Sequence, residues 1–245
     1  MRHVIDLSLP LSEGMSHHPM HPRSPLVLSG TLTHRMTERW MGDNEDFGRV
    51  SFVNEQVVIS GHTGTHIDAP YHAGRDRPDA AGVDLTRCVG PASRLDLRTH
   101  RGPRVVLDRE DLVGAIPQGR ALRDIVLLHT GWSDVLDTDP RRYYGHSMGL
   151  SEDAAAYLRA QGVRCVGIDA PSIDAPHVPG APAHMNFLRA DPPIYVIENL
   201  RGLDALPFDV PFFSAAPLPI EGSSGSPVRA YALLDQPIDP KSDAP

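Results

Sequence analysis

Twenty-four prolines punctuate this 245-residue chain, and they restrict what it can fold into more than any other feature. A proline fixes φ near about −65° and removes a backbone donor, so long helices give way to fixed loops and edge strands. The sequence between the prolines agrees. Short runs rich in β-branched residues recur at 57–60, 104–107, 125–130, 163–168 and 194–197, bounded by Gly, Pro or Asp as strands usually are. Two helices have chemically defined ends. One is predicted over residues 152–161, with Ser151 as N-cap, Glu152 and Asp153 in the first turn and Gly162 as the stop. A shorter one follows Asp108, with Glu110 and Asp111 in its first turn and Pro117 beyond. Strands separated by helices predict a single mixed α/β domain over residues 1–235, with 236–245 as a loose tail. Residues 14–48 are irregular and rich in His and Met; they read equally as a flap over a site or as a surface loop.

Charge and hydropathy exclude some function classes. The formal net charge is −8, and the Arg-rich stretches 98–104 and 141–142 are short, so no basic stripe for nucleic acid is expected. No window approaches the ~18 consecutive apolar residues of a spanning helix, so no membrane partner is expected. Residues 1–6 lack the apolar core of a secretory signal. Cys88 and Cys165 both lie in apolar surroundings and read as buried thiols rather than a disulfide, which points to a cytoplasmic protein.

The chemistry concentrates in His62-Thr-Gly-Thr-His66-Ile-Asp68-Ala-Pro70-Tyr-His72. The polar groups at 62, 66, 68 and 72 share parity, so an extended chain would place all of them on one side. Thr63, Thr65 and Ile67 take the other side and are β-branched, and Gly61, Gly64 and Pro70 argue against a helix. Gly64 is expected to let the backbone bend around an ion, and Pro70 to fix the exit toward His72. Two imidazoles and a carboxylate suit a divalent ion, zinc most readily with manganese or iron as rivals, and leave positions open for water and substrate. Asp68 has a second oxygen that can bridge to another cation. A lone His-x-x-x-His would be weak, but the full set in phase, with glycines and proline at the bends, is hard to obtain as surface decoration.

This segment resembles the signature His-x-Gly-Thr-His-x-Asp-x-Pro-x-His of the metal-dependent cyclase family, which includes bacterial kynurenine formamidase and isatin hydrolase. Other blocks agree in order: Ile5-Asp6-Leu7-Ser8, Leu128-His129-Thr130-Gly131-Trp132, Gly167-Ile168-Asp169-Ala-Pro171-Ser172-Ile173-Asp174, Val196-Ile197-Glu198-Asn199-Leu200 and Gly225-Ser226-Pro227-Val228-Arg229-Ala230. The resemblance implies a swivelling β/β/α fold with a central mixed sheet or barrel-like core, and a homodimer or homotetramer. It implies that His62, His66 and Asp68 bind one metal, that His72 is the general acid/base, and that Asp68, Glu198 and a later His hold a second metal. His184 stands two residues further from Glu198 than the family's usual spacing, at which Asn186 falls, so His184, Asn186 or neither completes that second site. Kynurenine formamidases place a substrate-contacting Trp ahead of a Pro where this chain has His18-Pro19, and residues 35–49, with Trp40, form an insertion.

The remaining candidates are weaker. Ser133 and Ser172 lack a nucleophile elbow. His129 follows an apolar strand and reads as a core histidine or a support for a ligand rather than a ligand itself. Asp169 and Asp174, at a strand end, suit orienting work. Residues 221–227 lack a phosphate loop's lysine and read as a tight turn near the pocket. The expected activity is hydrolysis of a small-molecule carbonyl substrate (an amide, formamide, cyclic imide or lactone, most readily a C–N bond) with Zn²⁺ or Mn²⁺, one or two ions per subunit. A polyketide-type cyclase or dehydratase is the rival within catalysis, and a non-catalytic, metal-stabilised binding protein the rival outside it.

Overall fold

Both faces of the central strands are apolar, and the fold follows from how those faces are covered. The computed structural model describes residues 3–19, 26–29 and 56–235. Its strands are β1 (His3–Asp6), β2 (Leu26–Ser29), β3 (Gln56–Ile59), β4 (His66–Asp68), β5 (Val89–Asp96), β6 (Val106–Leu107), β7 (Ile125–His129), β8 (Gly149–Leu150), β9 (Cys165–Ile168), β10 (Tyr195–Glu198), β11 (Asp209–Ser214), β12 (Gly225–Pro227) and β13 (Tyr231–Leu234). The helices are α1 (Arg109–Gly114), α2 (Ser133–Thr138), α3 (Pro140–Gly145), α4 (Glu152–Ala160) and α5 (Pro182–Leu188). Among the described residues nine strands form one sheet in the order β1-β13-β11-β5-β7-β9-β10-β4-β12. The core β5-β7-β9-β10 is parallel and both flanks are antiparallel. The sheet curls into a half-barrel, the expected mixed α/β architecture.

The alternation of a strand divides these residues between two cores. Val126 and Leu128 of β7, Val166 and Ile168 of β9 and Val196 of β10 pack with Leu112, Trp132, Tyr143, Leu158 and Phe187 from the helical layer. Ile125, Leu127, Cys165 and Ile197 face the other way, against Leu7, Ile67, Phe213 and Ala232. Cys88 and Cys165 are free and buried, as expected.

The two foreseen helices form with the foreseen caps. The Ser151 hydroxyl accepts from the Ala154 amide, and Gly162, with φ +79°, ends the α4 turn. Asp108 and Asp111 exchange backbone bonds in a capping box at α1. The strands at 104–107 and 163–168 are shorter than expected, reduced to Val106–Leu107 and Cys165–Ile168; Arg104 has φ +59°, outside the β region. Helix α5 carried no sequence expectation. It starts at Pro182, directly after Ala181 in a left-handed conformation. Of the suggested flap only residues 14–19 and 26–29 are described; Trp40, the insertion at 35–49 and the tail at 236–245 lie outside the described residues. Among the described residues no helix is long and apolar enough to cross a membrane.

Candidate metal centre and active site

Sheet register builds the centre of the site. Strand β4 lies antiparallel to β10, with His66 opposite Glu198 and Asp68 opposite Val196. Side chains directly opposite share a face, so His66, Asp68 and Glu198 project together while Ile67 and Ile197 enter the core behind them. Strand β12 closes the other edge of β4, with Gly225 opposite Asp68. A Cβ at Gly225 would stand 2.8 Å from His62 Cε1, so the missing side chain is the room that His62 occupies.

The expectation that 62, 66, 68 and 72 lie along one extended face holds only for His66 and Asp68. His62 precedes a turn in which Gly64 has φ +63°, and His72 sits in the 3₁₀ turn Pro70–Ala73. Parity cannot anticipate these reversals, but they bring the same residues together. The ring centroids of His62 and His66 are 5.1 Å apart, those of His62 and His72 4.3 Å, and those of His72 and His184 5.7 Å.

Asp68 divides its two oxygens. Oδ1 lies 2.7 Å from His62 Nδ1 and 3.4 Å from His66 Nε2, and Oδ2 lies 3.3 Å from His184 Nε2. Glu198 does the same, with Oε2 3.4 Å from His66 Nε2 and Oε1 3.2 Å from His184 Nε2. Two triads, His62–Asp68–His72 and His66–Asp68–Glu198, each have their ligand atoms within 4.8 Å of one another. Asp68 Oδ1 is buried without an aligned hydrogen-bond donor despite its close imidazoles. Imidazole nitrogens and carboxylate oxygens crowded around this unpartnered oxygen form an N/O donor set that fits a divalent metal. His184 therefore joins the cluster, whereas Asn186, on the same helix, lines no part of the pocket. His177 is exposed.

The electrostatics also favour positive charge. Burial would lower the pKa of His66, but hydrogen bonds with Asp68 and Glu198 reverse this and raise it to about 10. His184 is likewise buried, yet Asp174, Asp68 and Glu198 lift it well above the usual imidazole range. Burial would raise both carboxylates; the imidazoles instead hold Asp68 well below its ordinary value and Glu198 at about 2. A metal would exchange with protons here. His72 lies exposed at the rim; partial burial lowers its pKa, Asp68 opposes and His62 and His184 assist.

The surrounding chain orients these groups. His66 Nδ1 is 2.9 Å from the Gly64 carbonyl, and His62 Nε2 is 2.8 Å from Ser224 Oγ. Ser224 belongs to the foreseen tight turn, but its role as a partner was not anticipated. Asn199, with φ +59°, follows Glu198; its carbonyl accepts from Thr65 and its Oδ1 from the buried Tyr143 hydroxyl. Asp169 accepts from the Thr130 amide and hydroxyl and the Gly131 amide, tying the ends of β7 and β9 together, while burial raises its pKa to about 6.

The cavity over the cluster measures about 320 Å³, and its walls include His17, His18, Tyr144, Pro171, Ser172 and Asn199. Tyr144 donates to the Ser16 carbonyl at 2.9 Å and meets the His18 ring edge-on, its centroid 5.9 Å away. His17 and His18 thus line the pocket. Ser172 lines the cavity; Ser133, at the start of α2, does not.

Comparison with known proteins identifies relatives along most of the chain. Residues 5–175 match the Cyclase family. Kynurenine formamidase of Geobacillus thermodenitrificans is 30% identical over 227 residues, 92% of this chain and 95% of that protein. Isatin hydrolase of Roseibium aggregatum is 32% identical over 202 residues, 73% of each. A solved structure described as a potential metal-dependent hydrolase with cyclase activity superposes with a TM-score of 0.73 at 26% identity, covering 97% of this chain and all of that one. On the match over residues 5–175 and the relatives that share its length, this chain belongs to the cyclase family.

Proposed function

We propose that the chain is a metal-dependent hydrolase that cleaves the C–N bond of a small amide, formamide or cyclic imide, with lactones as a related class and an N-formyl aryl amide as the first substrate to assay. One observation carries this reading: imidazoles and carboxylates from five residues converge at the floor of a cavity with a further histidine, His72, at its rim. The kynurenine formamidase and isatin hydrolase relatives support C–N cleavage. His62, His66 and Asp68 would hold one ion, Zn²⁺ or Mn²⁺, and Asp68, His184 and Glu198 would hold a second. Such an ion supplies Lewis acidity, acidifying water and polarising a carbonyl oxygen. His72 takes the proton from the attacking water as its oxygen bonds to the carbonyl carbon, and returns it to the leaving nitrogen as the C–N bond breaks. Its place at the rim lets it re-equilibrate with solvent. The cavity volume suits a small molecule. A homodimer or homotetramer belongs to the same reading, supported by exposed Val4, Leu11 and Leu218, and the free thiols support a cytoplasmic location.

The test is elemental analysis of protein purified without added metal, then a panel of formamides, cyclic imides and lactones before and after chelation. Turnover lost on chelation and restored by Zn²⁺ or Mn²⁺ is the expected result. Fully metal-loaded protein that is silent across the panel would overturn the proposal.

A further inference from the structure

The two sides of the cluster are held by different means. His66 takes its orientation from the Gly64 carbonyl within its own turn, and His62 from Ser224. His184 arrives on α5 and is gripped by Asp174. Asp174 Oδ2 is 2.6 Å from His184 Nδ1 and accepts the His184 amide at 3.0 Å, while Oδ1 accepts the Ala183 amide at 2.8 Å. The adjacent Ile173 amide donates to Glu198 Oε1 at 2.8 Å. The loop backbone is fixed in turn. The Leu150 amide donates to the Ile173 carbonyl at 2.8 Å, and a Cβ at Gly149 would come within 2.2 Å of the Ala175 nitrogen and 2.3 Å of the Asp174 carbonyl carbon. The chain thus leaves out a side chain at 149 so that β8 can buttress this loop.

We infer that Asp174 is a positioning residue that fixes the tautomer and aim of His184, and so governs the ion held by His184, Glu198 and Asp68; the inference rests on the reading of those three as ligands. A carboxylate at Nδ1 keeps that nitrogen protonated, so Nε2, which faces Asp68 Oδ2 and Glu198 Oε1, is the nitrogen that would release its proton and offer its lone pair to an ion. Because His62 and His66 have other supports, loss of Asp174 acts on one side of the cluster only. Removing such a partner weakens metal affinity by about 10–100-fold.

Asp174→Asn keeps the side chain's size and one of its two accepting oxygens while removing the charge. Metal-free wild type, Asp174→Asn and His184→Ala are titrated with Co²⁺ and followed by absorption. Wild type is expected to take two equivalents per chain. Asp174→Asn takes the first with wild-type affinity and the second about 10–100-fold more weakly, and His184→Ala takes one. Wild-type uptake of both ions by Asp174→Asn, with one lost in His184→Ala, overturns the inference alone. Two equivalents in His184→Ala, or one in wild type, overturn the ligand reading and the inference with it. Long-range ¹H–¹⁵N correlation of the imidazoles in Zn²⁺-loaded wild type gives a check that needs no substitution: a proton on His184 Nδ1 supports the inference, and a proton on Nε2 refutes it.

Discussion

Two buried histidines stand at the ends of strands in one sheet and have opposite characters. His66, at the start of β4, is 2% exposed, and His129, at the end of β7, is 5% exposed. Asp68 and Glu198 overcome burial at His66 and raise its pKa to about 10. At His129 burial is reinforced by Arg94, whose Nη1 lies 3.3 Å from Nδ1, and the pKa falls to about 4. Burial alone therefore does not make a ligand. One region is built to receive positive charge; the other already holds a guanidinium, itself paired with Asp96 at 3.1 Å.

The contrast can be broken in order of expected effect. Asp68→Asn removes the carboxylate common to both triads and should abolish stoichiometric metal retention, with turnover falling at least about 1,000-fold; His129→Gln should keep both. Elemental analysis and kcat/KM decide, and equal losses in the two variants would erase the distinction. His72→Ala should lower kcat by about 10²–10⁴-fold with metal content intact. A loss of metal in that variant would make His72 a ligand instead.

The next effect is on stability. His129 titrates near 6.5 when unfolded and near 4 when folded, so the unfolded chain takes the proton first. Folding stability should fall as pH drops from about 6.5 to about 4, by on the order of 3 kcal/mol. His66 has the other sign: in metal-free protein its contribution is present below about 6.5 and is lost as pH rises through about 10. Urea unfolding of metal-free His129→Gln should show a shallower acid limb than wild type, and an unchanged limb would refute the buried neutral state. The smallest effect sharpens the comparison from outside. Ser151→Ala removes the α4 cap and should cost about 1 kcal/mol without altering metal uptake.

The contiguous part of the site was legible because its residues carry their own chemistry: His62, His66, Asp68 and His72 lie within one segment punctuated by glycine and proline. Its shape was only half legible, since parity describes a strand and not the positive φ of Gly64 or the 3₁₀ turn at Pro70. The other half depends on distant pieces. Glu198 reaches the site through the register of β10 on β4, and His184 through α5, which displays no strong helical pattern in sequence. Nothing local announces either; only the family resemblance pointed to them. Asp174 was marked as a strand-end carboxylate suited to orienting work, and its bonds to His184 answer that expectation. Ser224 was hidden in a turn whose composition signals flexibility and not contact. The central strands were readable because a short apolar run such as Ile125-Val-Leu-Leu, bounded by Asp124 and Gly131, suits a strand covered on both faces.

The account's central claim is that the carboxylate-flanked histidines, and not merely the buried ones, bind the ion. Calorimetric titration of metal-free protein with Zn²⁺ tests it most directly. Wild type and His129→Gln should show the same tight uptake, and His66→Ala should lose one equivalent of it. Undiminished uptake in His66→Ala, or none in wild type, would contradict the claim.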